Sequence, residues 1–305
     1  MKYLVTGGTG FLGREIVFRL LSEGHKVRVF DNNFRGNSDL IPQNGSLEAI
    51  VGDIRDVNAL TSATEGVDSV IHLAFINGTR HFYEQPELVV DVGIRGMLNV
   101  ADAAKISGVK EIILVSTSEV YQSPSVIPTP ESIPLVIPDV LNPRYSYGGA
   151  KIACELLLVN YCATYLDNWK IIRPHNIYGP NMGEDHVIPE LITKAKTHSE
   201  KFLIQGDGKQ TRAFCHVTDF GEGFLFILND SRKFQIYNIG VDEEISILEL
   251  SQMILKLLGS DAVINFSDGN IGETRRRCPD ISKIRSLGFN PRVSLINGLS
   301  DLLSL

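Results

Sequence analysis

The chain has 305 residues, 43% hydrophobic and 21% charged, with 29 Lys+Arg against 36 Asp+Glu and a net charge of −7. That length suits one α/β domain with a smaller companion lobe, and it buries enough apolar surface to fold without a disulfide or a metal. The acidic balance argues against a nucleic-acid partner, while a few placed arginines can still hold a small anionic ligand. Cys154, Cys162, Cys215 and Cys278 show no CxxC or CxxH spacing, so reduced thiols and no metal site are expected. No charged n-region with a long apolar segment opens the chain, and no run reaches the ~18 apolar residues of a membrane span. A cytoplasmic location is expected, with the sequons at Asn44, Asn77 and Asn265 unmodified.

In chain order, Tyr3 to Thr6 reads as a strand, followed by a helix from Phe11 to Ser22 with apolar positions Leu12, Ile16 and Leu20. Val27 to Phe30, Ala49 to Val51 and Val70 to Leu73 are further strands, and Leu88 to Ser107 is a long helix. Ile112 to Ser116 is a buried strand, Tyr147 to Tyr165 a second long helix and Lys170 to Arg173 a sixth strand. This alternation predicts an α/β fold, a Rossmann-like doubly wound parallel sheet with helices on both faces. Six prolines between Ser123 and Pro143 exclude a helix there and predict a surface loop. Later come helices near Val187 to Lys196 and Ile247 to Leu258, and a strand, Gln235 to Ile239, that can rejoin the sheet. The expected division is a dinucleotide lobe over 1–174, with part of 213–245 returning to it, and a smaller α/β substrate lobe over 175–305.

Thr6-Gly7-Gly8-Thr9-Gly10-Phe11-Leu12-Gly13 joins the first strand to the first helix. Glycines at 7, 10 and 13 permit a tight turn, close approach to a pyrophosphate and close helix packing, and the helix N-terminus offers N–H groups to phosphate. Asp31 at the end of the second strand can accept both ribose hydroxyls and repels a 2′-phosphate, which favours NAD; Arg35 keeps NADP open. Asp53 is a candidate adenine contact. Tyr147 and Lys151, at i and i+4, share a helix face, and an adjacent cation stabilises a phenolate. Ser116-Thr117-Ser118-Glu119-Val120-Tyr121 follows the fifth strand at the edge where open α/β sheets carry their chemistry, so Thr117 can bond the hydroxyl that Tyr147 deprotonates.

These residues resemble the extended short-chain dehydrogenases/reductases, the NAD-dependent nucleotide-sugar epimerase/dehydratase family. The resemblance spans essentially the whole chain. It is carried by Thr6 to Gly13, Asp31-Asn32, Gly52-Asp53, His72-Leu73-Ala74, the Thr117/Tyr147/Lys151 triad, Arg173-Pro174-His175-Asn176-Ile177-Tyr178-Gly179-Pro180 and Thr211-Arg212-Ala213-Phe214. It implies NAD bound by Gly7, Gly10, Phe11, Leu12, Gly13, Asp31, Asn32, Asp53, Ile54, Leu73, Ala74, Tyr147 and Lys151. It also implies a nucleoside-diphosphate sugar, oxidised at C4 as Tyr147 takes the proton, held by Asn176, the segment His186 to Pro189 with Val187, Arg212 and Arg277. A homodimer is expected by the same resemblance.

The branch is read at position 118. The family's 4,6-dehydratases carry Asp-Glu after the threonine, whereas Ser118-Glu119 lacks the aspartate, so dehydration is disfavoured. Thr-Ser-Glu-Val-Tyr and Arg277-Cys278-Pro279-Asp280 are similar to UDP-glucuronate decarboxylases, although Ile152 stands where many have Arg. Glu119 can act as a second acid/base or bind a sugar hydroxyl, and Arg144 can face a substrate carboxylate or cap the loop. His175 is similar to GDP-mannose 3,5-epimerases, which use a nearby cysteine absent here, and a core histidine remains open. Gly93 stands where the family often has Asn. The expected activity is sugar epimerisation, with C4 dehydrogenation releasing a keto sugar, decarboxylation or a non-catalytic sensor as alternatives.

Overall fold

The computed structural model describes residues 1–42, 44–184, 186–197, 201–268 and 274–304. The strands β1 (Lys2–Thr6), β2 (Lys26–Asp31), β3 (Leu47–Val51), β4 (Ser69–His72), β5 (Glu111–Val115) and β6 (Asn168–Pro174) join the late strand Gln235–Ile239 in one sheet. All pairings are parallel, and the order across the sheet is Gln235–Ile239, β6, β5, β4, β1, β2, β3. Period-two alternation divides the strand residues between two cores. Tyr3, Val5, Ile71, Ile113 and Val115 enter one; Leu4, Val70, Ile112 and Leu114 enter the other. Burial on both faces is why these strands read as unbroken apolar runs.

Helix α1 (Phe11–Ser22) buries Gly13, Ile16, Val17 and Leu20, one stripe at helical spacing, against the first core. The helix Val217–Leu228 lies in the same core through Phe220, Phe224 and Ile227. Its sequence carries no clear stripe because most of its circumference is apolar. Its two interior glycines mark close contacts: a Cβ on Gly221 would meet Glu15 Oε1 at 2.1 Å, and one on Gly223 would meet Phe289 at 3.2 Å. The helices Val57–Thr64, Gly96–Ile106 and Ser146–Leu156 cover the opposite face.

Two helical expectations need correction in their interiors. The predicted helix Leu88 to Ser107 is Pro86–Val90, a π-turn Asp91–Arg95 and Gly96–Ile106. The predicted helix Tyr147 to Tyr165 is Ser146–Leu156 followed by a π-turn Leu157–Tyr161, where it stops. The proline-rich loop contains no helix or strand between 123 and 142, yet it is strapped down rather than lying loose on the surface. Thr129 N donates to Cys278 O (2.9 Å), Asp280 N to Thr129 O (2.9 Å) and Val136 N to Val120 O (3.1 Å).

The smaller lobe has its own core of Ile188, Leu191, Phe202, Ile204, Leu250, Ile254 and Leu299. The return to the first lobe is wider than 213–245, since Ile281, Ile284 and Phe289 also pack in the sheet core. All four cysteines are free and buried. Among the described residues no helix is long and apolar enough to cross a membrane, and no cluster of His, Cys, Asp or Glu is arranged to hold a metal ion.

The turn from β1 into α1 tolerates no side chain at two points. Gly7 has φ +74°, and a Cβ there would sit 2.5 Å from Ala74 N; a Cβ on Gly13 would sit 2.1 Å from Gly7 O. Gly13→Ala therefore forces backbone apart and is expected to cost roughly 1–3 kcal/mol in urea unfolding. An unchanged midpoint would show that the turn can relax without loss.

Candidate functional site

Strand order ascends from β1 to β3 on one side and from β4 to β6 on the other, so β1 and β4 diverge where they adjoin. A cleft of about 840 Å³ opens there, outside the C-terminal ends of the strands. Every residue assigned to the cofactor lines it: Gly7, Gly10, Phe11, Leu12, Gly13, Asp31, Asn32, Asp53, Ile54, Leu73, Ala74, Tyr147 and Lys151. At the α1 end the N-cap is Gly10, and no side chain caps the first turn. Those amides remain available to a pyrophosphate, and the turn glycines leave it room. This is the environment a dinucleotide requires.

At the β2 end of the cleft, Asp31 accepts from Thr9 N (3.0 Å) and Asn33 N (2.9 Å), which ties the glycine turn to β2. Asn32 Nδ2 donates to Asp53 (3.2 Å), whose carboxyl is held below its ordinary range first by hydrogen bonding from Arg55, 2.7 Å away. Arg35, weighed for NADP, donates instead to the carbonyl of Asn77 across the cleft.

Thr117, Ser118, Glu119, Tyr147 and Lys151 meet on the cleft wall beside β5. Thr117 Oγ1 accepts from Glu119 N (3.2 Å) and shares the cleft wall with the Tyr147 phenol. Burial pushes that phenol above its ordinary 10, with the neighbouring Thr117 hydroxyl opposing and the Glu119 charge adding to the rise. Lys151, 2% exposed, donates to Val115 O (2.8 Å). Burial pulls its ammonium down to about 8, against the opposing influence of Cys154 and Glu155.

Behind this wall lies a buried polar network. Arg173 Nη2 and Glu155 Oε2 are 2.5 Å apart, Ser116 Oγ donates to Glu155 (2.5 Å), and Arg173 Nη1 donates to Tyr121 Oη (2.7 Å) and Glu131 O (3.0 Å). Tyr121 Oη in turn donates to Asn238 (2.9 Å) on the edge strand.

Of the substrate assignments, Thr117, Asn176 and Arg277 line the cleft, as does His186; Arg144, His175, Val187 and Arg212 do not. Arg144 lies behind Glu119. His175 is 1% exposed against Asn238 (3.2 Å), and burial pushes its imidazole down to about 3, so it is a neutral core histidine rather than an acid/base. Arg212 lies in the short strand Thr211–Arg212 and donates to Thr211 O (2.8 Å). Val187 is the first residue of the helix Val187–Thr197, at its N-terminal end. Sequence reading missed Phe75 and Phe82, which line the cleft and pack on Tyr147. Phe75 directly follows the Leu73-Ala74 pair, the one signal that could have found it.

A family model described as the NAD dependent epimerase/dehydratase family matches residues 3–240. Over 98% of its length the chain is 33% identical to UDP-glucuronic acid decarboxylase 6 of Arabidopsis thaliana, covering 87% of it. It is 32% identical, again over 98% of its length, to the UDP-N-acetyl-alpha-D-glucosaminuronate decarboxylase of Bacillus cytotoxicus, covering 96% of that protein. The solved structure of a UDP-glucose 4-epimerase with UDP-glucose from Thermotoga maritima aligns with a TM-score of 0.89 at 26% identity, covering 100% of this chain and 98% of that one.

Glu119 receives Arg144 Nη2 (3.1 Å) and Arg277 Nη1 (2.9 Å), joining the loop before the Tyr147 helix to the smaller lobe. Burial alone would raise its pKa, but the two guanidiniums outweigh it and hold the carboxyl at about 2, down from 4.5. A carboxylate so held is a poor proton carrier, which corrects its candidacy as a second acid/base. Because the folded-state pKa is depressed, its stabilising contribution is complete above about pH 4.5 and is lost as pH falls toward about 2. Glu119→Gln is expected to be clearly less stable than wild type at pH 7, with the difference shrinking below about pH 4.5 and nearly gone by about pH 2. Urea unfolding across that range checks this, and a pH-independent difference would contradict the ion-pair account.

Proposed function

The chain belongs to the NAD-dependent epimerase/dehydratase family, and on that premise we propose that it is a nucleotide-sugar epimerase that acts through oxidation at C4. The observation that carries this is the convergence of Thr117, at the end of β5, with Tyr147 and Lys151 in the one cleft that also receives the glycine turn. Bound NAD+ supplies the oxidant for C4 and, as a cation, favours the phenolate. Tyr147 takes the C4 hydroxyl proton. Thr117 uses its oxygen to accept from Glu119 N, which leaves its own O–H for the phenolate or the sugar oxygen. Lys151 keeps positive charge beside the phenolate at neutral pH, because about 8 lies above neutrality. Arg277 and Asn176 on the facing wall hold the nucleotide-sugar, Arg277 through charge and Asn176 through its amide.

The fate of the keto sugar is limited by the acids and bases at hand. Beside Thr117, Ser118 cannot protonate a leaving hydroxyl and Glu119 is locked by two arginines. Outcomes that need no further proton donor are favoured, and returning the hydrogen to the other face of a rotated 4-keto sugar is one of them. Decarboxylation is the second reading: loss of CO2 beside the 4-keto group leaves an enolate, whose C5 takes a proton from water. It is supported by the Glu119–Arg144–Arg277 cluster, whose net positive charge suits a sugar carboxylate, and by the names of the two similar decarboxylases. A cytoplasmic location and a homodimer belong to the same proposal, the homodimer supported by exposed Ile106 and Leu156 on the outer helices.

Incubation with a panel of UDP-, GDP-, CDP- and dTDP-sugars in D2O, followed by NMR, tests the reading. A 4-epimer with no net NADH is expected. CO2 release from a uronate would replace epimerisation by decarboxylation, and conversion of no sugar would overturn both. Tyr147→Phe is expected to lower kcat by ~10²–10⁴ while NAD stays bound, measured as nucleotide released on denaturation. Unchanged turnover would remove Tyr147 from the proton transfer.

A further inference from the structure

Two phenylalanines bracket Tyr147. Phe82 stacks on its ring (centroids 5.2 Å, interplanar angle 14°), and Phe75 stands perpendicular to it (5.2 Å, 88°). The Lys151 ammonium lies over the face of Phe75, 4.2 Å from the centroid, while donating to Val115 O (2.8 Å). The Phe75 ring occupies this place only because residue 93 has no side chain: a Cβ there would sit 2.3 Å from Phe75 Cζ. Gly93 itself lies within the π-turn Asp91–Arg95, the irregular stretch of an otherwise α-helical segment. A backbone deformation, a glycine and a ring therefore converge on one ammonium.

We propose that Phe75 is a positioning residue for the Tyr147–Lys151 pair, its ring face holding the Lys151 ammonium beside Tyr147 in a niche that Gly93 provides. The negative face of an aromatic ring attracts a cation, most strongly where water is excluded. The other groups facing Lys151 are accounted for. Cys154 and Glu155 come from its own helix, with Glu155 already paired to Arg173 of β6. From β4 comes His72, which burial keeps neutral. Phe75 and the Val115 carbonyl thus retain the charge without consuming it in an ion pair, leaving it available to act on the phenol. This assignment rests on the catalytic pairing proposed above, and it deepens it.

The test is a titration of Lys151 by NMR in protein carrying labelled lysine, the signal assigned by its disappearance in Lys151→Met. Phe75→Leu keeps volume and removes the ring face, so the midpoint is expected to fall by about one pH unit. Gly93→Ala leaves Phe75 in the chain but expels its ring, and is expected to behave as Phe75→Leu; it also decides the matter should Phe75→Leu fail to fold. In turnover, the alkaline limb of the kcat–pH profile should move down with the same two variants. Equal midpoints in wild type, Phe75→Leu and Gly93→Ala would overturn the assignment. The titration needs no substrate, so a protein that converts no nucleotide-sugar yet shows the Phe75-dependent shift refutes the proposed reaction and leaves the positioning role standing.

Discussion

The buried Glu155–Arg173 pair is the constraint on which the site depends. Both side chains are withdrawn from water, 6% and 3% exposed, and removing either would leave a buried charge alone, at a cost of about 3–5 kcal/mol. The pair joins three pieces of chain that would otherwise be independent. Glu155 sits one turn beyond Lys151, Arg173 is the penultimate residue of β6, Ser116 immediately precedes Thr117, and Tyr121 closes the same short segment. Through Glu131 and Asn238 it reaches the proline-rich loop and the edge strand. The residues that meet at Tyr147 thus keep their relative positions because a hydrogen-bonded ionic network lies directly beneath them.

On the cleft side, charge is arranged differently. Glu119 is shared between Arg144 and Arg277, so this part of the wall carries a net cation tied to both lobes. The cleft of an acidic protein thus offers anions two separate places, this cluster and the uncapped N-terminus of α1 that suits the dinucleotide's pyrophosphate. Local geometry, not the net charge of −7, decides which ligands are attracted.

Much of the fold was legible because the strands are buried on both faces and interrupted by glycine and proline. The predicted strand Gln235 to Ile239 and helix Ile247 to Leu258 have the bounds the structure shows. The latter carries a capping box at Ser246 and Glu249 and a left-handed stop at Gly259, signals that are local in sequence. Val217–Leu228 was illegible because it is apolar on most sides and contains two glycines chosen by contacts with α1 and Phe289. The π-turns were equally hidden, since the ring that fills the space at Gly93 belongs to Phe75, far earlier in the chain.

Sequence alone determined the glycine turn, the Tyr147–Lys151 spacing and the Thr117 segment, because each depends on neighbours within a turn or a strand of chain. It also determined which residues border the cofactor end of the cleft, since a parallel sheet carries its loops to one edge. Only the tertiary structure decided that His175 is a core residue, that Arg144 serves Glu119, and that Phe75 lies under Lys151. Those outcomes depend on burial and on partners 25 to 158 residues away, as with Arg144 and Arg277 on Glu119, and no local pattern encodes them.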